Sequence, residues 1–195
     1  MKTSVKTLFA LLTGITLIAN TAMVKAAEPT NYITTLSAVK DIRKIVVSGN
    51  VNLLLVQDNK ESVKVYDKYY SKNALVQQQG GTLRISSFAD RPLSIVVYVK
   101  ELNSIEAANQ SKVRTEGCFR LLNLDVKLKD NASADINAKT VTLSTSVKGA
   151  SELKIAGTTD KHAVEMCDLG NLTMDQFAAN ETNIVSRSTN VLASR

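Results

Sequence analysis

The sequence predicts an all-β protein: a parallel β-solenoid, like a single-stranded β-helix, with a period near 19 residues and a less regular N-terminal β-region. Three observations carry this expectation. A nine-residue phrase recurs six times, at residues 45–53, 105–113, 128–136, 147–155, 166–174 and 184–192. Each copy opens on an apolar residue (Ile45, Ile105, Leu128, Val147, Met166, Ile184), passes through small or polar residues, and closes on another (Leu53, Val113, Ile136, Ile155, Met174, Leu192). The last five openers are spaced 23, 19, 19 and 18 residues apart, the mark of stacked units that each supply one rung. The residues leading into the openers alternate with period two, as in Leu122, Leu124, Val126, Leu128 and again in Val141, Leu143, Thr145, Val147. That period points one side of each strand inward. No segment has the 3.6-residue period of a long amphipathic helix, and neither of the two prolines falls inside a strand pattern.

Taken in order, the elements are these. Residues 32–39 suit a short strand. Residues 42–47 and 51–57 are rich in β-branched side chains and are broken by Ser48, Gly49 and Asn50, so they read as two strands joined by a turn. Residues 62–66 alternate apolar with polar. Residues 67–73 are charged and tyrosine-bearing, suiting a surface loop or a short helical turn. Residues 75–79 and 82–88 flank Gly80-Gly81, a pair that supplies the positive φ angles of a two-residue hairpin turn. Residues 93–99 are almost wholly apolar, which predicts a strand buried on both faces. Regular units run from residue 102 to 195.

A rung buries its inward row only against its neighbours, so like positions should stack in columns. Ile105, Leu128, Val147, Met166 and Ile184 are expected to form one column, and Val113, Ile136, Ile155, Met174 and Leu192 another. The chain is expected to change direction at Gly49, Ala107, Asp130, Gly149, Asp168 and Ser186, where glycine takes φ > 0 freely and Asp tolerates it.

Residues 1–26 read as an export signal: Lys2 and Lys6 precede a short, polar-spotted apolar run, and Val24-Lys25-Ala26 fits a cleavage site. The run falls short of the roughly 20 apolar residues that span a bilayer. Residues 27–195 then form a single domain, with residues 27–101 as the irregular part. Removing the signal takes three lysines from the formal +6, leaving 6 − 3 = +3. The remaining lysines are scattered among acids with few rings nearby, which argues against nucleic acid as a partner. Cys118 and Cys167 are 49 residues apart, more than two rungs. At about 4.8 Å per rung that is too far for a disulfide, so both thiols are expected to be free.

No constellation of residues announces a chemistry. His162 is the only histidine and has no cysteine at ligand spacing, so neither a zinc site nor a serine nucleophile with its base is expected. No metal, cofactor or catalytic residue is assigned. Asp130 and Asp168 share one turn position two rungs apart, about 9.6 Å. That is too far for one calcium ion and at the edge of an inverting glycosidase's carboxylate separation. Asp as a plain turn residue explains both. Tyr66, Tyr69 and Tyr70 cluster with Lys68 and Lys72, and this segment is the candidate binding patch.

The phrase at residues 147–155, with Gly149, Ala150 and Ser151 before Leu153 and Ile155, resembles the Gly-Ser-Gly repeat of the putative auto-transporter adhesin, head GIN domain family. Residues 45–53 resemble that family's opening strand and turn, and residues 98–105 its bridge into the repeats. The resemblance covers residues 38–192 and departs from the pattern where Ala107, Asp130, Asp168 and Ser186 replace glycine. It implies a parallel β-solenoid exported by Gram-negative bacteria, similar in shape to pectin-lyase and acyltransferase helices but without their catalytic residues.

The expectation is therefore a non-enzymatic binding or adhesion module of the periplasm or cell surface, with a glycan or an envelope protein as partner. The alternatives are a polysaccharide-active enzyme using the turn carboxylates and a structural or sensing part of the envelope. The final rung shows no cap, so association of copies through that end is a further expectation.

Overall fold

In the computed structural model, residues 33–67, 70–167 and 169–187 are described. They belong to one compact unit, Asn31–Arg195. In chain order the strands are β1 (Thr34–Leu36), β2 (Lys44–Ser48), β3 (Val51–Gln57) and β4 (Ser62–Val65), then a single helical turn, α1 (Tyr70–Asn73). After it come β5 (Ala74–Gln79), β6 (Thr82–Ser87), β7 (Leu93–Val99), β8 (Ser104–Ala107), β9 (Lys112–Glu116), β10 (Phe119–Arg120) and β11 (Asn123–Leu128). Three long strands complete the chain: β12 (Ser133–Val147), β13 (Glu152–Cys167) and β14 (Asn171–Arg187). The all-β class and the Gly80-Gly81 hairpin are as the sequence predicts, and the export signal lies outside the described residues.

All fourteen strands join one mixed sheet in the order β1-β4-β7-β3-β9-β12-β11-β8-β2-β6-β5, with β10 and β13 on β12 and β14 on β13. The antiparallel ladders are β1/β4, β4/β7 and β5/β6, all in the N-terminal half, and every other ladder among the described residues is parallel. The sheet is curled. Ile45 and Leu83, near one end of the strand order, belong to the same buried cluster as Val63 and Val97, near the other. A flat sheet would keep them apart. Period-two alternation then decides what is inside: Ile45, Val47, Leu53, Leu55, Val126, Leu128, Leu143 and Val147 are all at most 2 % exposed.

Two sides of the curl bear on function. Side A contains β4, β7, β3, β9 and the first parts of β12, β13 and β14. Side B contains β6, β2, β8, β11 and the last parts of β12, β13 and β14. The long strands run across both.

The registers correct the expected columns. Leu128 pairs with Val147 and Val147 with Met166, as expected. Ile105, however, lies beside Val126, while Leu128 lies beside Ala107. At the far end Val164, not Met166, lies beside Ile184. In the second column Ile136 meets Ile155, but Val113 meets Ala134, and Leu192 lies outside the described residues. Between β13 and β14 the register shifts between Lys154 and Ala156. The physical reason is that a slip of two residues keeps the same face inward, so alternation alone cannot detect it.

The turn column moves with it. Ala107 ends β8 and Ser186 lies in β14, so neither is a turn residue. The observed column is Gly49, Asn109, Asp130 and Gly149, with φ of 82°, 60°, 63° and 69°. Main-chain hydrogen bonds tie adjacent turns: Asn131 donates to Asn109 O at 3.1 Å and Ala150 to Asp130 O at 2.8 Å. The side chains of Ser111 and Ser151, both buried, donate to Ala108 O and Lys148 O and close the two loops from inside. Asp168 lies outside the described residues.

The strand β7 also differs from expectation. Its inner row is buried, but Ser94 is exposed and Val96 and Tyr98 are half-buried. The reason is that the sheet is one layer thick here. On the outer side the Lys64 ammonium sits 4.8 Å from the Tyr98 ring centroid.

Candidate functional site

The two outer surfaces of the curl differ in how their charges are used. On side B three lysines are paired with acids. Lys44 meets Glu106 at 2.6 Å, Lys127 meets Asp125 at 2.6 Å, and Lys148 meets Glu165 at 3.3 Å. Ser146 Oγ donates to Glu165 at 3.0 Å. The hydrogen bond to Asp125, followed by its charge, holds the Lys127 ammonium above the usual lysine pKa. Among the described residues, Arg84 and Lys161 on the same side are exposed without a side-chain partner, and Asp125 Oδ1 is buried without one.

On side A, cross-strand register lays out two outward rows. Ser94, Asn52, Lys112, Ser133 and Glu152 form one, and Val96, Leu54, Arg114, Asp135 and Lys154 the other. These residues line a shallow depression of ≈ 590 Å³, with Tyr66 on its rim. Val96 and Leu54 make a half-buried apolar floor, while Lys112, Arg114, Asp135, Glu152 and Lys154 are exposed. Among the described residues no ion pair or side-chain hydrogen bond engages any of these five charges. Two free cations two residues apart on β9 lie about 7 Å from each other along the strand. An apolar floor, a phenol and unpaired charges of both signs can hold an amphipathic, polar-edged ligand by stacking and hydrogen bonding.

The sequence-based patch is brought to this site in part. Tyr66, 42 % exposed, is anchored by its N–H donating to Ser94 O at 2.9 Å. Tyr70 opens α1, and Lys72 in the same turn is exposed. Lys68 and Tyr69 lie outside the described residues. Sequence reasoning missed Leu54, Val96, Lys112 and Arg114. The signal was available: Leu53 and Val113 close corresponding phrases, so Leu54 and Arg114, each one residue on, share the outer row.

Asp130 sits away from this depression in a turn, where its carboxylate accepts the Asn109 N–H at 3.3 Å. His162 is 2 % exposed on the inward row of β13. Its Nε2 lies 3.1 Å from Thr145 Oγ1, and its ring meets Phe177 edge-on with centroids 5.1 Å apart. Its Nδ1 is buried without a hydrogen-bond partner, and burial pushes the imidazole below its usual pKa. Both surroundings are structural. Cys118 and Cys167 are free thiols, as expected. Among the described residues no three His, Cys, Asp or Glu side chains gather as metal ligands, and no helix is long and apolar enough to cross a membrane.

Comparison with known proteins gives the family. None of the curated proteins matches. A solved adhesin-like protein from Bacteroides fragilis, described as a putative adhesin, superimposes with a TM-score of 0.72 at 22 % identity, covering 82 % of this chain and 78 % of that one. A putative adhesin from Parabacteroides distasonis gives 0.61 at 14 % identity over 80 % and 78 %. A protein from the same species described as a putative lipid binding protein gives 0.57 at 16 % identity over 80 % and 79 %. At these identities the likeness concerns the fold. The model of the family described as "Putative auto-transporter adhesin, head GIN domain" matches residues 41–193, and the chain belongs to that family.

Proposed function

We propose that this chain is an exported, non-enzymatic adhesion module of the bacterial cell envelope that holds an extended glycan chain against side A. The carrying observation is the contrast between the two outer faces. Side B pairs Lys44, Lys127 and Lys148 with acids, whereas side A gathers Lys112, Arg114, Asp135, Glu152 and Lys154, all unpaired among the described residues, around an apolar floor and Tyr66. Unpaired charges beside an exposed ring and apolar surface are what a polar ligand with flat apolar faces requires. Membership of a family described as an adhesin head supports a binding role.

The side-A surface is read as the flank of a β-solenoid built from residues 102–195. Supporting this is the return of the chain to the same lateral position after nineteen residues: Asn123 pairs with Thr142, Ser133 with Glu152, and Glu152 with Asn171. Each rung adds one residue to each outer row, so the binding face is as long as the stack. A chain-like ligand lying across the strands would meet a new side chain about every 4.8 Å. Residues 1–26, read as an export leader, support a position in the periplasm or at the cell surface.

A glycan array and a polysaccharide pull-down, with the supernatant assayed for cleavage products, test this reading. It predicts retention without products, and weaker retention by Tyr66→Ala and Arg114→Glu. Cleavage products, or retention indifferent to both substitutions, would overturn it.

A further inference from the structure

The two ends of the sheet are finished differently. At the N-terminal end the terminal strands are β1, three residues long, and β5, a hairpin arm whose residues 77–79 are glutamines. Both run antiparallel to their neighbours, so the parallel stack is broken off there. Short or polar edges of this kind discourage further pairing. At the C-terminal end β14 is seventeen residues long, and among the described residues it pairs only with β13.

The side chains repeat the contrast. One rung in, Leu153, Ile155 and Val164 are at most 2 % exposed. On β14 the apolar side chains are less covered: Leu172, Met174 and Phe177 are half-buried, and Ile184 is 56 % exposed. Among the described residues the outer main-chain edge of β14 has no partner strand, and its apolar row is more open than that of β13.

We infer that this edge joins a second copy of the same chain, β14 against β14, about a two-fold axis. The outline decides the partner. β14 crosses side A at residues 171–174, turns a corner, and crosses side B at residues 181–187. An extended peptide shorter than β14 would cover one side and leave the other open. A second β14, reversed about an axis through the corner, lays its side-B part over side A and its side-A part over side B, covering both at once. The corner holds Ala178 and Ala179, small enough for close approach at the axis. The antiparallel match sets the Leu172 and Met174 stretch of one copy over Ile184 of the other. Because the opposite end of the sheet is blunted, the contact closes as a dimer rather than growing into a filament. The two side-A surfaces then lie on one particle, which raises the avidity of weak ligand contacts; the dimer itself does not depend on the ligand reading.

Sedimentation velocity across a hundredfold range of concentration tests the dimer. The inference predicts a dimer, and at least tenfold weaker association for Met174→Asp combined with Ile184→Asp, with the far-UV CD spectrum retained. In a Cys118→Ser, Cys167→Ser background, Ala178→Cys should give a covalent dimer under mild oxidation, whereas Gln77→Cys on β5 should not. A monomer at every concentration would overturn the inference. So would a dimer that survives the double substitution or cross-links through Gln77→Cys.

Discussion

Replacing Val147 with aspartate tests the inward frame where it is most exposed to error. Val147 is 0 % exposed, with Leu128 on one side and Met166 on the other in the adjoining strands. Removing its side chain forfeits about 1.5–3 kcal/mol of burial. A carboxylate in its place has no partner and must take a proton, which from the ordinary Asp pKa costs about 4 kcal/mol at about pH 7. The sum is about 5–7 kcal/mol, comparable to the whole stability of a domain. Val147→Asp should therefore leave no cooperative folding transition, and Val147→Ala should lose about 2 kcal/mol. Lys148, one residue on, is exposed, and its ammonium pairs with Glu165. Exposed pairs are worth little, so Lys148→Asp should cost less than about 1 kcal/mol. Urea denaturation followed by far-UV CD measures all three, since the chain has no tryptophan. If Val147→Asp stays within about 1 kcal/mol of the parent, or Lys148→Asp costs as much as Val147→Asp, the inward assignment is wrong.

Other outcomes follow from single residues. Gly157 has φ of 109°, and a Cβ there would lie 2.0 Å from the Ala138 carbonyl oxygen of the adjoining strand, so Gly157→Ala should lose about 3 kcal/mol or more in the same assay. Gly80, with φ of 56° and open space around it, should lose only about 1 kcal/mol on the same change. His162 has a folded-state pKa below its ordinary 6.5, so the unfolded chain takes up the proton first. The stability tied to neutral His162 is complete above pH 6.5 and lost as pH falls below it toward the lower folded value, at no more than about 1.4 kcal/mol per pH unit. His162→Phe should flatten the stability curve between pH 6.5 and 5, and an unchanged curve would contradict the burial argument. Cys118 is exposed and Cys167 half-buried, so a thiol reagent should label the native protein in a fast and a slow phase, and labelling in one phase would refute the difference in exposure.

Much of the fold was legible because its signals are local. Gly80-Gly81 dictates a hairpin turn, and alternation from Leu122 to Leu128 dictates which side is buried. What stayed hidden is relational. The placement of Ile105 beside Val126 rather than Leu128 leaves the inward pattern unchanged, so only the fold reveals the slip. The same slip moved the turn from Ala107 to Asn109. Residues 93–99 suggested two buried faces because Val96 and Tyr98 are apolar, yet the sheet is a single layer there. Tyr66 was legible as an exposed ring near lysines. The cations that join it, Lys112 and Arg114, lie nearly fifty residues away in sequence and reach it only through the ladders β7/β3 and β3/β9.

The central claim, that side A is the ligand face, is tested most directly by affinity for the polysaccharide that the array retains, measured for the parent protein, Leu54→Asp and Val46→Asp. Leu54 lies outward on side A, and Val46 lies outward on β2 of side B; both are half-buried, so the two changes perturb the fold alike. The account predicts at least tenfold weaker binding for Leu54→Asp and unchanged binding for Val46→Asp. Equal affinities for the two variants, or loss only with Val46→Asp, would contradict it.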